Sequence, residues 1–298
     1  MYEYFLGIDL HKRSSTWVTV DQQRSVTARQ VVPVNPTAIR HAIVALSIPV
    51  GSIKATLEPV CGWRWVQQLL IEHGIDTVLA NPTKVRLIAA SKHKTDTNDA
   101  RMLAELLASG YLPEAYRAPA NIVEIRNLVR ERHYLVSVRT GFKNRLKGVV
   151  TARGEPDILE TCLTTTGRQY IEAHDLTELR DLSELISELS QYIKRLESEL
   201  KVALKDNQLA QLLETAPTMG PISVATVVAE VGDMTRFASA KKLANYAGLV
   251  PGQRSSGARL RYGRITKVGQ STCDTRWWNV RCACVSTTIP RCMRGMSE

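Results

Sequence analysis

Four carboxylates carry the clearest chemistry in this sequence: Asp9, Glu58, Asp96 and Asp99. Asp9 interrupts the apolar run Tyr4-Phe5-Leu6-Gly7-Ile8-Asp9-Leu10, which otherwise reads as a buried strand. Glu58 closes a second such run, Ile53-Lys54-Ala55-Thr56-Leu57-Glu58, just before Pro59. Asp96 and Asp99 stand three apart in Lys94-Thr95-Asp96-Thr97-Asn98-Asp99-Ala100, ahead of an apolar-periodic helix. A carboxylate held in an apolar strand is costly unless its charge is compensated. Divalent cations compensate several converging carboxylates, and two of them about 3.5–4 Å apart neutralise the entering and leaving oxygens of a phosphodiester. Hard oxygen donors favour Mg²⁺ or Mn²⁺. Helical residues three apart share a face, roughly 5–6 Å between Cβ atoms, so Asp96 and Asp99 can serve one site. Each acid also has a plainer reading. A helix start favours Asp96 and Asp99 through its dipole, and Glu58 fits a solvated strand end. Asp9 alone has no rationale from stability.

Positioning these acids requires a sheet. Residues 4–9, 15–20 and 25–34 read as three short strands, the second alternating and ending in the polar turn Asp21-Gln22-Gln23. Asn35 followed by Pro36 is a helix start. Strand 53–58, a helix over about 63–73 stopped at Gly74, strand 75–80, and helices from about Thr83 and from about Asn98 to Ser109 follow. Three strands and then alternating helices and strands predict an α/β domain, a mixed sheet covered by helices.

Beyond it the pattern turns helical. Residues 121–150 predict a long helix carrying Arg126, Arg130, Arg132, Arg139, Lys143, Arg145 and Lys147, with Glu131 the only acid between Arg126 and Lys147. That charge suits either a solvated face or a helix that tracks phosphates without reading sequence. Leu179, Leu182, Ile186, Leu189, Ile193, Leu196 and Leu200 alternate spacings of three and four, a heptad seam that must pack against another helix. Its partner is either the basic helix, in an antiparallel hairpin, or the same helix of a second subunit. Further on, helices are expected over Ile222–Val231 and Ala238–Ala247. The stretch 249–264 reads as a loop rich in Gly and Ser with four arginines, Arg254, Arg259, Arg261 and Arg264.

At 298 residues and a formal net charge of +10, the chain is long enough for more than one domain and suited to a polyanionic partner. No run approaches the ~18 apolar residues of a membrane span, and the start lacks the signal-peptide pattern. The cytoplasm is therefore the expected compartment, with no membrane as partner. Cys61 and Cys162 stand apart from Cys273, Cys282, Cys284 and Cys292, and no histidine follows His174, which fits no zinc spacing.

The motifs together resemble the DEDD-type insertion-sequence transposases, the group that also holds the Piv-like site-specific DNA invertases, over residues 4 to 271. Gly7-Ile8-Asp9-Leu10-His11-Lys12 resembles the first catalytic strand of that family, Leu57-Glu58-Pro59 its second acid, and Lys94 through Ala100 its paired acids. Gly248-Leu249-Val250-Pro251 through Ser256-Gly257, then Gly263 to Gly269, resembles its C-terminal signature. The resemblance implies a RuvC-like ribonuclease H fold over 1–115. The charge and heptad patterns place a basic helix and coiled coil over 116–210, followed by a small, mainly helical C-terminal domain over 211–271. Asp9, Glu58, Asp96 and Asp99 are then the metal ligands, for Mg²⁺ or Mn²⁺, and Ser256 the nucleophile, with Ser255 adjacent. Arg126, Arg130, Arg139, Lys143, Arg145, Lys147, Arg254, Arg259, Arg261, Arg264 and Lys267 are the residues expected on DNA. The partners implied are DNA ends and target, an element-encoded guide RNA in some members, and further copies of the chain as dimer or tetramer through the coiled coil.

Two departures stand out. Thr218-Met219-Gly220 keeps only the second glycine of the Gly-x-Gly expected at the domain entry. After Gly269 the chain gives up helical periodicity for residues rich in Cys and Trp, as expected of a frameshifted and early-ended copy with an aberrant, disordered tail over 272–298. Competing readings are a RuvC-like structure-selective nuclease, a remnant that binds DNA without completing transposition, and, from the Gly-Ile-Asp strand alone, a sugar kinase or actin-like ATPase. The last needs a second Gly-rich phosphate loop that the sequence lacks.

Overall fold

A computed structural model describes residues 2–88, 95–154, 158, 161–174, 176–216, 219–256 and 259–265, of which 253–256, 259–262 and 265 are described by backbone alone. Two compact units divide the chain, Met1–Arg117 and Ala118–Glu298.

The first unit is built on a five-stranded mixed sheet: β1 (Tyr4–Leu10), β2 (Ser14–Asp21), β3 (Val26–Pro33), β4 (Ile53–Leu57) and β5 (Asp76–Leu79). Strands lie in the order β3-β2-β1-β4-β5. β1, β2 and β3 form an antiparallel meander, while β4 runs parallel to β1 and β5 parallel to β4. The two parallel pairings require crossovers, supplied by α1 (Pro36–Ala45) and α2 (Trp63–Glu72). Asn35 caps α1 by accepting from the Ala38 amide at 2.8 Å, with Pro36 pre-set at the first helical position.

Successive strand side chains point to opposite faces. Leu6, Ile8 and Leu10 of β1 join Ile53, Ala55 and Leu57 of β4 in a core closed by Ile39, Ile43, Val66 and Leu70 of the two crossover helices. The opposite face carries Phe5, Gly7 and Asp9. There α4 (Asp96–Ala108), which follows α3 (Pro82–Ile88), lies across the sheet and buries Ala100 and Ala104 against Val18 and Val20. Gly7 makes this approach possible. A Cβ at that position would stand 2.0 Å from the Ala100 carbonyl oxygen and 2.7 Å from the Ala104 amide nitrogen. Helix α4 starts two residues earlier than its periodicity indicated, because Thr95 caps it and accepts from the Asn98 amide at 3.2 Å.

The second unit is organised by α5 (Ala120–Ala152) and α7 (Thr177–Leu204), with α6 (Thr165–Ala173) between them in sequence. The heptad seam belongs to an intrachain pair: Arg132 meets Glu197 and Arg145 meets Glu178, so the two helices run antiparallel. Its residues divide between two cores. Leu179 and Ile186 pack with Leu146 and Val150. Leu200 and Leu204 pack with Ile122, Ile125 and Val129 of α5, and with α8 (Gln208–Glu214), α9 (Pro221–Val231) and α10 (Ala240–Tyr246). The seam therefore gives no argument of its own for a second subunit. The basic helix and the following short helices share one core.

The arginine-rich stretch is a correction. It forms an antiparallel hairpin, β6 (Pro251–Ser256) and β7 (Arg259–Ile265), in which Ser255 pairs with Leu260 and Ser256 with Arg259. Its period of two was present in Leu260 and Tyr262 alternating with arginines, but lay hidden under a composition typical of loops. Among the described residues no helix is long and apolar enough to cross a membrane.

Candidate active site

Asp9 is fixed by the sheet. It occupies the third position of the Phe5–Gly7–Asp9 face and pairs across β2 with Thr16, two residues from the point where α4 touches Gly7. The stripe Asp96, Ala100, Ala104 repeats every four residues along one side of α4. With Ala100 and Ala104 seated over Gly7, the next residue of that stripe, Asp96, comes to the Asp9 end of the strand. The close glycine contact thus sets the distance between two acids that are 87 positions apart in the chain.

A third side chain completes the cluster. Leaving β1, the chain turns with the His11 amide donating to the Ser14 carbonyl at 3.0 Å, which directs the His11 ring back over the site. Its Nε2 lies 3.1 Å from Asp9 Oδ2 and 3.6 Å from Asp96 Oδ1. One ligand atom from each of Asp9, His11 and Asp96 lies within 4.8 Å of the others. The Asp9 side chain is 19% exposed, against 51% for His11 and 64% for Asp96. Burial pushes the Asp9 carboxyl above its ordinary range; the His11 charge opposes the shift, and Asp96 and Asp99 add to it.

Asp99 shares the first turn of α4 with Asp96, half-buried. Its charge reaches Asp9, but it stands outside the three-residue group. Glu58 follows Leu57, which pairs with Ile8, so its backbone occupies the register position beside Asp9 at the end of β4. Its carboxylate is likewise outside the group. The structure therefore gathers Asp9 and Asp96, holds Asp99 and Glu58 at the margin, and adds His11. Nothing in the sequence around His11 departs from local expectation, since an exposed histidine just after a strand is ordinary, so only the structure brings it to the acids.

The donor set suits a divalent cation. Two carboxylates, one of them partly desolvated and raised by its acidic neighbours, leave negative charge that a cation would offset, and the oxygens match hard ions.

The residues expected on DNA fall into different classes. Arg126 is buried, and its Nε donates to the Ala229 carbonyl at 2.9 Å, which takes it out of reach of a phosphate. Arg130 binds Glu230, whose side chain is 4% exposed. Arg139 donates to Ser190 Oγ between α5 and α7, and its Nε is buried with no hydrogen-bond partner. These three are engaged within the helical unit, Arg126 and Arg130 on α9 and Arg139 on α7. Lys143 is half-buried and Lys147 exposed; Arg145 is exposed beside Glu178. Ser256 ends β6 opposite Arg259, and Arg254 pairs in register with Arg261. Arg264 is exposed on β7. Lys267, Thr218 and the tail 272–298 lie outside the described residues.

Residues 6–153 match the DEDD transposase model of the IS110 group, and residues 210–294 match the model described as "Transposase IS116/IS110/IS902 family", which runs past Gly269. A probable family 20 transposase of Pseudomonas aeruginosa is 29% identical over 70% of this chain and 63% of its own length. The transposase for insertion sequence element IS1111A of Coxiella burnetii is 27% identical over 89% of this chain and 73% of its own length. A pilin gene-inverting protein of Moraxella bovis is 25% identical over 66% of this chain, which spans 56% of that protein. Among solved structures, T. thermophilus RuvC in complex with a Holliday junction substrate aligns over 38% of this chain and all of that chain. The identity is 12% and the TM-score 0.28. Two family matches over separate parts of the chain, joined by relatives that span both, lead to one conclusion: the chain belongs to the DEDD-type insertion-sequence transposases.

Proposed function

We propose that this chain cuts and joins DNA at the ends of an insertion sequence, by phosphodiester transfer at the site formed on β1 and α4. The observation that carries the reading is the meeting of Asp9 and Asp96 across the Gly7 contact, in a chain of this family. The mixed sheet with its central acid agrees with a RuvC-like ribonuclease H fold. Asp9 and Asp96 would hold a divalent cation, and Asp99, whose charge acts on Asp9, and Glu58, one residue past the Ile8–Leu57 pair, would be the further acids of the site. Such ions, Mg²⁺ or Mn²⁺, supply charge neutralisation at the scissile phosphate.

The protein's own part is to place these donors without reorganisation. The strand and the capped helix fix their backbones, so little ordering remains to be done when DNA arrives. Ser256, in the second unit, is the proposed nucleophile. Its Oγ forms a bond to phosphorus while one bridging DNA oxygen leaves, and the hydroxyl proton passes to solvent or a nearby base. Arg259, Arg261 and Arg264 on the hairpin supply positive charge for phosphate oxygens. The reaction belongs to the cytoplasm, where bacterial DNA lies.

The test is a strand-joining assay with the element's own ends and Mg²⁺ or Mn²⁺. Wild type should join strands and leave a trapped protein–DNA adduct, Asp9→Asn should do neither, and Ser256→Ala should cleave no strand covalently. Undiminished joining by Asp9→Asn would remove the acidic site from the mechanism. Adduct formation by Ser256→Ala but not by Ser255→Ala would move the nucleophile one residue back.

A further inference from the structure

His11 stands outside the four-acid pattern, yet the β1–β2 turn delivers its ring to the acids. Around an octahedral ion with bonds of about 2.1 Å, adjacent ligand atoms stand roughly 3.0 Å apart. His11 Nε2 lies at 3.1 Å from one carboxylate oxygen and 3.6 Å from the other, on separate residues. Those separations are what two edges of a coordination shell require after a small rotation. Such a rotation is available to side chains that are 51% and 64% exposed, with Asp9 as the fixed member. The imidazole is also the one nitrogen donor of the group. A purely acidic site suits Mg²⁺ and Ca²⁺, whereas an imidazole nitrogen shifts preference toward first-row transition ions.

We propose that His11 is a nitrogen ligand to the divalent cation held by Asp9 and Asp96, and that it biases the site toward Mn²⁺ and its first-row neighbours over Mg²⁺. The inference rests on the metal-dependent reading above and names the donor that reading lacks. The competing role for His11 is a hydrogen bond that orients Asp9 and never touches the ion.

The experiment uses the full chain, with Mn²⁺ itself as probe. Pulsed electron paramagnetic resonance of bound Mn²⁺ should show coupling to an imidazole ¹⁴N, and the coupling should vanish in His11→Gln. Glutamine keeps a hydrogen-bond donor, and the exposed position leaves the core untouched, so folding is preserved. Equilibrium titration should show Mn²⁺ affinity falling about tenfold or more in His11→Gln, with Mg²⁺ affinity falling less than Mn²⁺ affinity does. Mn²⁺ bound by wild type with no ¹⁴N coupling, or bound equally well by His11→Gln, overturns the inference while leaving the acidic site standing. Failure of wild type to bind either ion, or equal binding by Asp9→Asn, overturns the metal reading and this one with it.

Discussion

At the scale of single residues, Gly7 and Asp9 do opposite things to stability. Gly7 lets α4 settle on the sheet, and Gly7→Ala places a methyl 2.0 Å from a backbone oxygen that cannot rotate away. We expect a loss of about 3 kcal/mol, the upper end of the usual overpacking cost, in urea unfolding, together with loss of metal binding as α4 lifts Asp96 away. Gly51→Ala is the control: nothing lies within 4 Å of its Cβ, and it should change stability by less than about 0.5 kcal/mol. Asp9 destabilises the metal-free fold. Its folded pKa is raised, first by burial, so the folded chain holds that proton more tightly than the unfolded chain. Stability therefore falls as pH rises from the ordinary carboxyl value of 3.8 through the folded value, and the penalty remains above it. In chelator at neutral pH, Asp9→Asn should melt higher than wild type, and the gap should close on acidification below that range. A wild type that melts higher at neutral pH would mean that His11 outweighs burial. Asp9 was legible in the sequence because a charge in an apolar strand violates local expectation. His11 was not, because an exposed histidine after a strand violates nothing.

At the scale of elements, local periodicity and capping made most of the first unit readable, and contacts distant in sequence decided what was missed. β1, β4 and α1 follow from apolar runs and the Asn35-Pro36 start. The hairpin β6–β7 did not, because its pairing energy lies in the backbone ladder while its side chains resemble a loop. For α5, charge pattern alone could not separate arginines that grip α9 from cations that face water. The structure makes that division, and mutation should reproduce it. Arg130→Ala leaves the Glu230 carboxylate, 4% exposed, without its guanidinium. It should cost about 3 kcal/mol in thermal or urea unfolding. Glu230→Gln should cost less, since Arg130 is 40% exposed and can turn to water. Lys147→Ala should leave stability within about 0.5 kcal/mol and lower the slope of log affinity for DNA against log salt by about 0.9, one phosphate contact. An unchanged salt slope would take Lys147 off the DNA surface. A stable Arg130→Ala protein would show that the pair with Glu230 contributes little.

At the scale of the whole molecule, the proposed chemistry is divided between units. The acidic cluster lies within Met1–Arg117, while Ser256 belongs to Ala118–Glu298. The first unit encloses its own cores: Leu6, Ile8 and Leu57 with α1 and α2 on one face of the sheet, and Val18, Val20, Ala100 and Ala104 on the other. A sheet covered on both faces meets the requirement for independent stability. Residues 1–117 produced alone should therefore unfold cooperatively, and Mn²⁺ should raise the midpoint because the ion binds the folded state alone. Asp9→Asn in the fragment should remove that rise while leaving the transition cooperative. The same fragment should form no covalent adduct with DNA, since it lacks the proposed nucleophile, and any cleavage it retains should be hydrolytic. A fragment that folds, binds the ion and still forms an adduct would place the nucleophile in the first unit and exclude Ser256. A fragment that fails to fold would mean that the acidic site depends on residues after Arg117, and that metal binding and strand joining are properties of the chain only as a whole.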